Sequence, residues 1–103
     1  EKSVTFEAWM DRYLLGFVAG YFNEKGHGSA FITNVSVVKK YHGLGIASKL
    51  LSMCIEYAKK HHIGDMTLEV MKRDKVAVTL YNKFNFKNYE INKDILIMKK
   101  KIL

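Results

Sequence analysis

At 103 residues, 49% hydrophobic and 26% charged, the chain has room for one domain with a modest core and is too apolar to stay disordered. Its longest nearly apolar run, Tyr13 to Phe22, falls far short of a bilayer span, which excludes a membrane helix there. The net charge of +7 is uneven: residues 1–38 carry 3 Lys/Arg and 4 Asp/Glu, residues 39–103 carry 14 and 6.

The first residue is Glu1 and not Met, so a trimmed product or a fragment is expected. Glu1-Lys2 leads straight into an alternating segment, and no secretory leader is expected. The single cysteine, Cys54, rules out an internal disulfide and suits a reducing cytoplasm.

Val4, Phe6 and Ala8 alternate with Thr5, Glu7 and Trp9, which is strand periodicity. Met10-Asp11-Arg12 can turn, and Tyr13 to Tyr21 is rich in aromatic and branched residues, so a hairpin is expected. Phe22 to Ser29 reads as a loop broken by Gly26 and Gly28, with His27 exposed in it. Ala30 to Val38 alternates again and completes an antiparallel meander.

Lys40-Tyr-His-Gly-Leu-Gly-Ile-Ala47 follows, at a strand-to-helix turn. Its glycines let the backbone come close to a ligand, and the helix start offers free N–H groups to an anion. That is a phosphate cradle, and it points to a pyrophosphate-bearing cofactor. The basic part of the chain begins here, where positive potential would attract an anionic ligand. Solvated lysines on exposed helix faces account for most of that charge.

Ile46, Leu50, Leu51, Cys54, Ile55 and Ala58 recur at helical spacing over Ile46 to His62, and Gly64 is expected to end that helix. Met66 to Val70 is a short strand, parallel to Ala30–Val38 because a helix crosses between them. Val76, Ala77, Leu80, Tyr81 and Phe84 form a second helical stripe, which Asp74 can cap and Asn85 can close. Phe86 to Ile91 and Ile95 to Met98 finish as a hairpin around Asn92-Lys93-Asp94.

These residues resemble the GCN5-related N-acetyltransferases, the GNAT family, over roughly residues 3 to 99. His42-Gly-Leu-Gly45-Ile-Ala47 is similar to the family's Arg/Gln-x-x-Gly-x-Gly/Ala cofactor motif. Leu68-Glu69-Val70 matches its next strand, and Asp74 to Phe86 resembles Asn-x-x-Ala-x-x-Leu-Tyr-x-Lys-x-Gly-Phe. The resemblance implies an α/β fold: a mixed, mainly antiparallel sheet with a central parallel strand pair and two flanking helices. It implies one acetyl-CoA-binding domain over 1–103, truncated at its N-terminus. The implied activity moves an acetyl group from acetyl-CoA to an amine by direct attack in a ternary complex.

By the same resemblance, acetyl-CoA would meet Val35, Ser36 and Val37 of the third strand, and His42, Gly43, Leu44, Gly45, Ile46, Ala47 and Ser48 of the cradle. Asp74 joins this cofactor set, and no metal does. Glu69 is the expected base for the amine, since a free alkylamine has a pKa of about 10 and must lose a proton. An N–H near Val35 would receive the oxyanion, and Tyr81 would protonate the departing thiolate. Glu69 reads equally as a solvent-facing strand residue, and Tyr81 also fits a core aromatic. Cys54 lies on the apolar stripe of its helix and reads as packing. The adjacent His61 and His62 cannot share a helix face, so they make no metal set.

The chain departs from the family pattern in places. His42 replaces Arg or Gln, which makes a weaker, pH-dependent phosphate donor. Asp74 replaces Asn and loses an amide donor, and Asn85 replaces Gly. The strand and two helices that normally wall the acceptor site cannot come from anything before Ser3. The acceptor is therefore an unspecified small-molecule or peptide amine, and a homodimer could complete the site.

A dinucleotide-binding oxidoreductase is disfavoured, because Ser48 stands where a third glycine is wanted and a meander precedes the turn. Two rivals stay open. One is a non-catalytic coenzyme A binder; the other is a basic nucleic-acid module, which tight, sequence-selective binding at physiological salt would mark. Lysines that serve only a cofactor or solubility should instead give weak, non-specific binding lost as salt rises.

Overall fold

The computed structural model describes residues 2–103. Strands β1 (Lys2–Met10), β2 (Tyr13–Asn23) and β3 (Ser29–Val37) form the expected meander. Asp11, at φ 56, makes the tight turn between the first two. A short 3-10 turn, Lys39–Tyr41, leads into α1 (Ile46–Lys60), then β4 (Asp65–Met71) and α2 (Lys75–Lys83). β5 (Lys87–Asn92) and β6 (Ile95–Lys101) close the chain as a hairpin. The sheet order is β1-β2-β3-β4-β6-β5, and β3–β4 is its parallel pair. The mixed sheet with a central parallel pair and two helices is the fold the sequence led us to expect.

Alternation along each strand sets the core. Val18, Phe22, Ile32, Leu68 and Met98 point to one face, where they meet Leu50, Leu51 and Cys54 of α1 and Tyr81 of α2. Burying each large apolar side chain contributes about 1.5–3 kcal/mol, and this shared face holds both helices on the sheet. The opposite face carries Tyr21 and Phe31, a directly paired couple, both exposed. Phe22 was expected in a loop, yet β2 continues through it to Asn23. Its ring is 1% exposed, so burial extends the strand.

Both helices end on the same device. After α1 the Ile63 N–H donates to the Ala58 carbonyl at 3.0 Å and the His62 N–H to Lys59 at 3.2 Å. After α2 the Phe86 N–H donates to Tyr81 at 3.0 Å and the Asn85 N–H to Asn82, also at 3.0 Å. The left-handed residues are His62 (φ 57) and Asn85 (φ 68), and the residue beyond each, Ile63 or Phe86, is buried. Asn85 acts as expected. Gly64 does not: α1 stops before it, and Gly64 serves a close approach, because a Cβ there would stand 2.5 Å from the His27 carbonyl oxygen.

One irregularity positions the site. β2 and β3 pair Ala19 with Asn34 and then Gly20 with Ile32, which leaves Thr33 as a bulged residue without a partner. The Thr33 hydroxyl donates to the Ala19 carbonyl at 3.1 Å and holds the bulge. β3 and β4 pair from Ser29–Asp65 to Ile32–Leu68 and no further, although both strands continue. Beyond the bulge the parallel strands part, and the backbone groups that β3 would offer β4 are left open.

Candidate active site

The chain leaves β3 at Val37 and reaches α1 through Gly43 (φ 82) and Gly45 (φ 80), conformations that cost a side-chain-bearing residue about 1–2 kcal/mol. A Cβ added at either glycine would meet no protein atom within 4 Å, so the space above the turn is open. The first helical bond runs from the Lys49 N–H to the Gly45 carbonyl at 3.0 Å. Among the described residues, the N–H groups of residues 43 to 48 find no backbone acceptor. No side chain caps the helix and no acidic residue sits in its first turn, so its positive end faces the open space unneutralised.

His42 Nε2 lies 2.8 Å from the Val37 carbonyl oxygen and, in the tautomer protonated there, donates to it. This bond ties the turn to the end of β3 and commits the ring N–H within the protein. The ring braces the turn, beside the open backbone amides of residues 43 to 48.

A groove of about 710 Å³ runs from the cradle along α2. Val35, Val37, His42, Gly43 and Gly45 line it from one side, and Ile46, Ala47 and Ser48 from the helix start. Asp74 and Tyr81 line it from α2. Of the residues expected at the cofactor, Ser36 and Leu44 do not line the groove; Leu44 is 69% exposed. Where β3 and β4 part, a gap of about 290 Å³ adjoins the groove and shares Val35, Asp74, Ala77 and Tyr81 with it. Glu69 lines this gap from β4, exposed, while Leu68 and Val70 beside it are buried. Another groove of about 700 Å³ lies at the N-terminal end of β4, between Lys87, Lys99 and Lys101. No helix start lines it.

Tyr81 stands where groove and gap meet, 7% exposed, its ring edge-on to Phe86 at 5.9 Å. Burial pushes the phenol pKa above its usual value, and the Asp74 carboxylate raises it further. The hydroxyl therefore holds its proton throughout the neutral range. Asp74 is the N-cap of α2, accepting the Ala77 N–H at 3.1 Å.

Val76, Thr79, Leu80 and Lys83 of α2 also line the groove. Sequence reading placed Val76 and Leu80 on a core stripe, but Val76 is 84% exposed at the groove's lip. A groove-facing stripe has the same periodicity as a core-facing one. Lys83 adds a cation, and its place two residues after Tyr81 was the available signal.

Cys54 is fully buried and its thiol pKa is pushed up to about 12 by burial, as packing requires. It is expected to resist alkylation in native buffer and to react on unfolding; fast labelling of folded protein would contradict this. His61 stacks on Tyr57 at 4.1 Å and lies 3.4 Å from Glu24, which is a structural role. Among the described residues no helix is long and apolar enough to cross a membrane.

A sheet that splits between its parallel strands, with an anion cradle at the following helix start, defines the class of GCN5-related N-acetyltransferases. The chain belongs to the Acetyltransferase (GNAT) family, whose model matches residues 1–86. It is 33% identical over 61 residues to an uncharacterized N-acetyltransferase, YobR, of Bacillus subtilis, a match covering 59% of this chain and 24% of that protein. The PaiA N-acetyltransferase of Thermoplasma acidophilum, solved with coenzyme A, superposes with a TM-score of 0.86 at 24% identity. That match covers 96% of this chain and 60% of that one. Naa50 of Arabidopsis thaliana, solved with the bisubstrate analogue CoA-Ac-MVNAL, gives 0.85 at 23% identity over 94% of this chain and 72% of that one. The chain thus spans about a quarter of the curated relative and three fifths of the first of these structures.

Proposed function

We propose that the chain transfers the acetyl group of acetyl-CoA to an amine, by direct attack within a ternary complex. The observation that carries this reading is the junction of cradle groove and strand gap at Tyr81. The open amides of residues 43 to 48 suit the pyrophosphate, and the groove along α2 suits the pantetheine arm. The unpaired edge of β3 near Val35 can donate an N–H to the thioester oxygen as it gains charge.

The amine enters through the gap as an ammonium and must lose a proton before it attacks. Glu69 lines that gap, and its exposure lets it draw the cation and take the proton directly or through water. When the carbon–sulfur bond breaks, the thiolate needs a proton, and the Tyr81 hydroxyl, still protonated, is placed to give it. The relatives' printed names support an N-acetyltransferase, and the bisubstrate analogue on Naa50 supports a peptide amine as one acceptor class. A free, buried thiol as the chain's one cysteine fits a cytoplasmic setting.

A non-catalytic coenzyme A binder is the second reading, favoured by the exposure of Glu69, which also fits a solvent-facing strand residue. Turnover separates the two. Incubation with acetyl-CoA and a panel of peptide, lysine, amino-sugar and polyamine acceptors is expected to yield free coenzyme A and an acetylated amine. Cofactor binding with no product from any acceptor class would favour the binder.

A further inference from the structure

We propose that Asp74 is a positioning residue as well as a helix cap: its carboxylate keeps the Tyr81 hydroxyl protonated at pH values where the acceptor amine has become neutral. The proposal rests on Tyr81 being the acid of the reaction above. Asp74 precedes α2, and Tyr81 lies two helical turns on, at about 10 Å of rise along the same face. Aromatic side chains in helices lean back toward the N-terminus, so the phenol is directed along α2 toward its cap. Both residues line the groove and also the gap. The bond from the Ala77 N–H, 3.1 Å, fixes the carboxylate at that end.

The start of a helix favours negative charge, and a phenol directed at it would ionise more readily. A carboxylate at the cap opposes this. The other titratable groups around the phenol are Glu69 of β4, Tyr41 and His42 beside the cradle, and Lys83 of α2. The Asp74 carboxylate raises the Tyr81 pKa in the same direction as burial, which is the larger cause.

The benefit lies in the chemistry. The attacking amine must be neutral, a fraction that grows until pH reaches about 10. The acid must still hold its proton, and the rate follows the product of the two forms. A carboxylate that delays ionisation of the phenol widens the window in which both forms coexist. Asp74 is exposed, so salt should weaken its influence in the free protein.

The test compares Asp74→Asn, which keeps a capping oxygen and loses the charge, with Asp74→Glu, which keeps the charge and loses the cap geometry. Tyrosine-labelled protein is titrated by NMR, with the Tyr81 signal assigned by its absence in Tyr81→Phe. Asp74→Asn should move the Tyr81 midpoint to lower pH with little change in melting temperature, and high salt should shrink the difference. Asp74→Glu should melt earlier and keep a raised midpoint. In turnover, the alkaline limb of the pH profile should shift down in Asp74→Asn alone. A Tyr81 midpoint identical in folded wild type and Asp74→Asn overturns the proposal, and Asp74→Ser repeats the test if the Asn variant fails to fold. The titration needs no turnover, so a chain without activity would sink the acetyltransferase reading and leave this coupling separately decided.

Discussion

Tyr81→Phe is expected to lower turnover about 100- to 10,000-fold while leaving acetyl-CoA affinity nearly unchanged. The substitution keeps the ring that packs on Phe86 and removes only the hydroxyl. That hydroxyl acts as the thiolate leaves, so its loss is felt in the transition state and not in the ground-state complex. The melting temperature should therefore move little, which separates lost chemistry from lost fold. The assay uses an acceptor from the amine panel, with kcat and cofactor affinity measured separately. Full activity in the Phe variant would return Tyr81 to a core aromatic and pass the proton to water or another donor.

Gly45→Val is expected to abolish the stabilisation that acetyl-CoA gives. A Cβ there meets no protein atom within 4 Å beyond its chain neighbours, so the side chain is expected to project into the cradle and clash with a bound ligand. The free protein should still lose about 1–2 kcal/mol, because Gly45 sits at φ 80. Gly26→Val is the matched control: φ is +63, nothing lies within 4 Å, and the residue precedes β3 at the end remote from the cradle. That variant should be destabilised alike and still respond to acetyl-CoA. Equal loss of response in both would assign the effect to the fold.

The strand–turn–helix setting of Gly43 and Gly45 was legible in sequence, and both stand at positive φ between β3 and α1. A glycine pair by itself marks an ordinary turn more often than a ligand site. The ends of α2 were legible too, since Asp and Asn are suited to those backbone positions. The parting of β3 and β4 was not anticipated. Its cause is one residue, and alternation was read straight through it. The trace is there in hindsight: Ala30 and Ile32 share one parity, whereas Val35 and Val37 share the other, so the apolar face changes register at the Thr33 bulge. His42 shows a different limit. Its identity marked it as a phosphate donor, but the end of β3 brings the Val37 carbonyl within reach of its ring. Contacts between a turn and the strand before it depend on backbone path, which residue types do not state. The same holds for Gly64, whose need for a bare α-carbon comes from the His27 carbonyl of a distant loop.

The measurement that tests the central claim most directly is thermal melting of the chain with and without excess acetyl-CoA. With ligand at about 100 times the dissociation constant, binding to the folded state alone adds roughly 2.7 kcal/mol. For a domain of this size that raises the midpoint by on the order of 10 °C. The account predicts such a shift in the wild type and in Tyr81→Phe, and none in Gly45→Val. A wild-type curve that does not move with excess acetyl-CoA, in a sample that melts cooperatively, would contradict it.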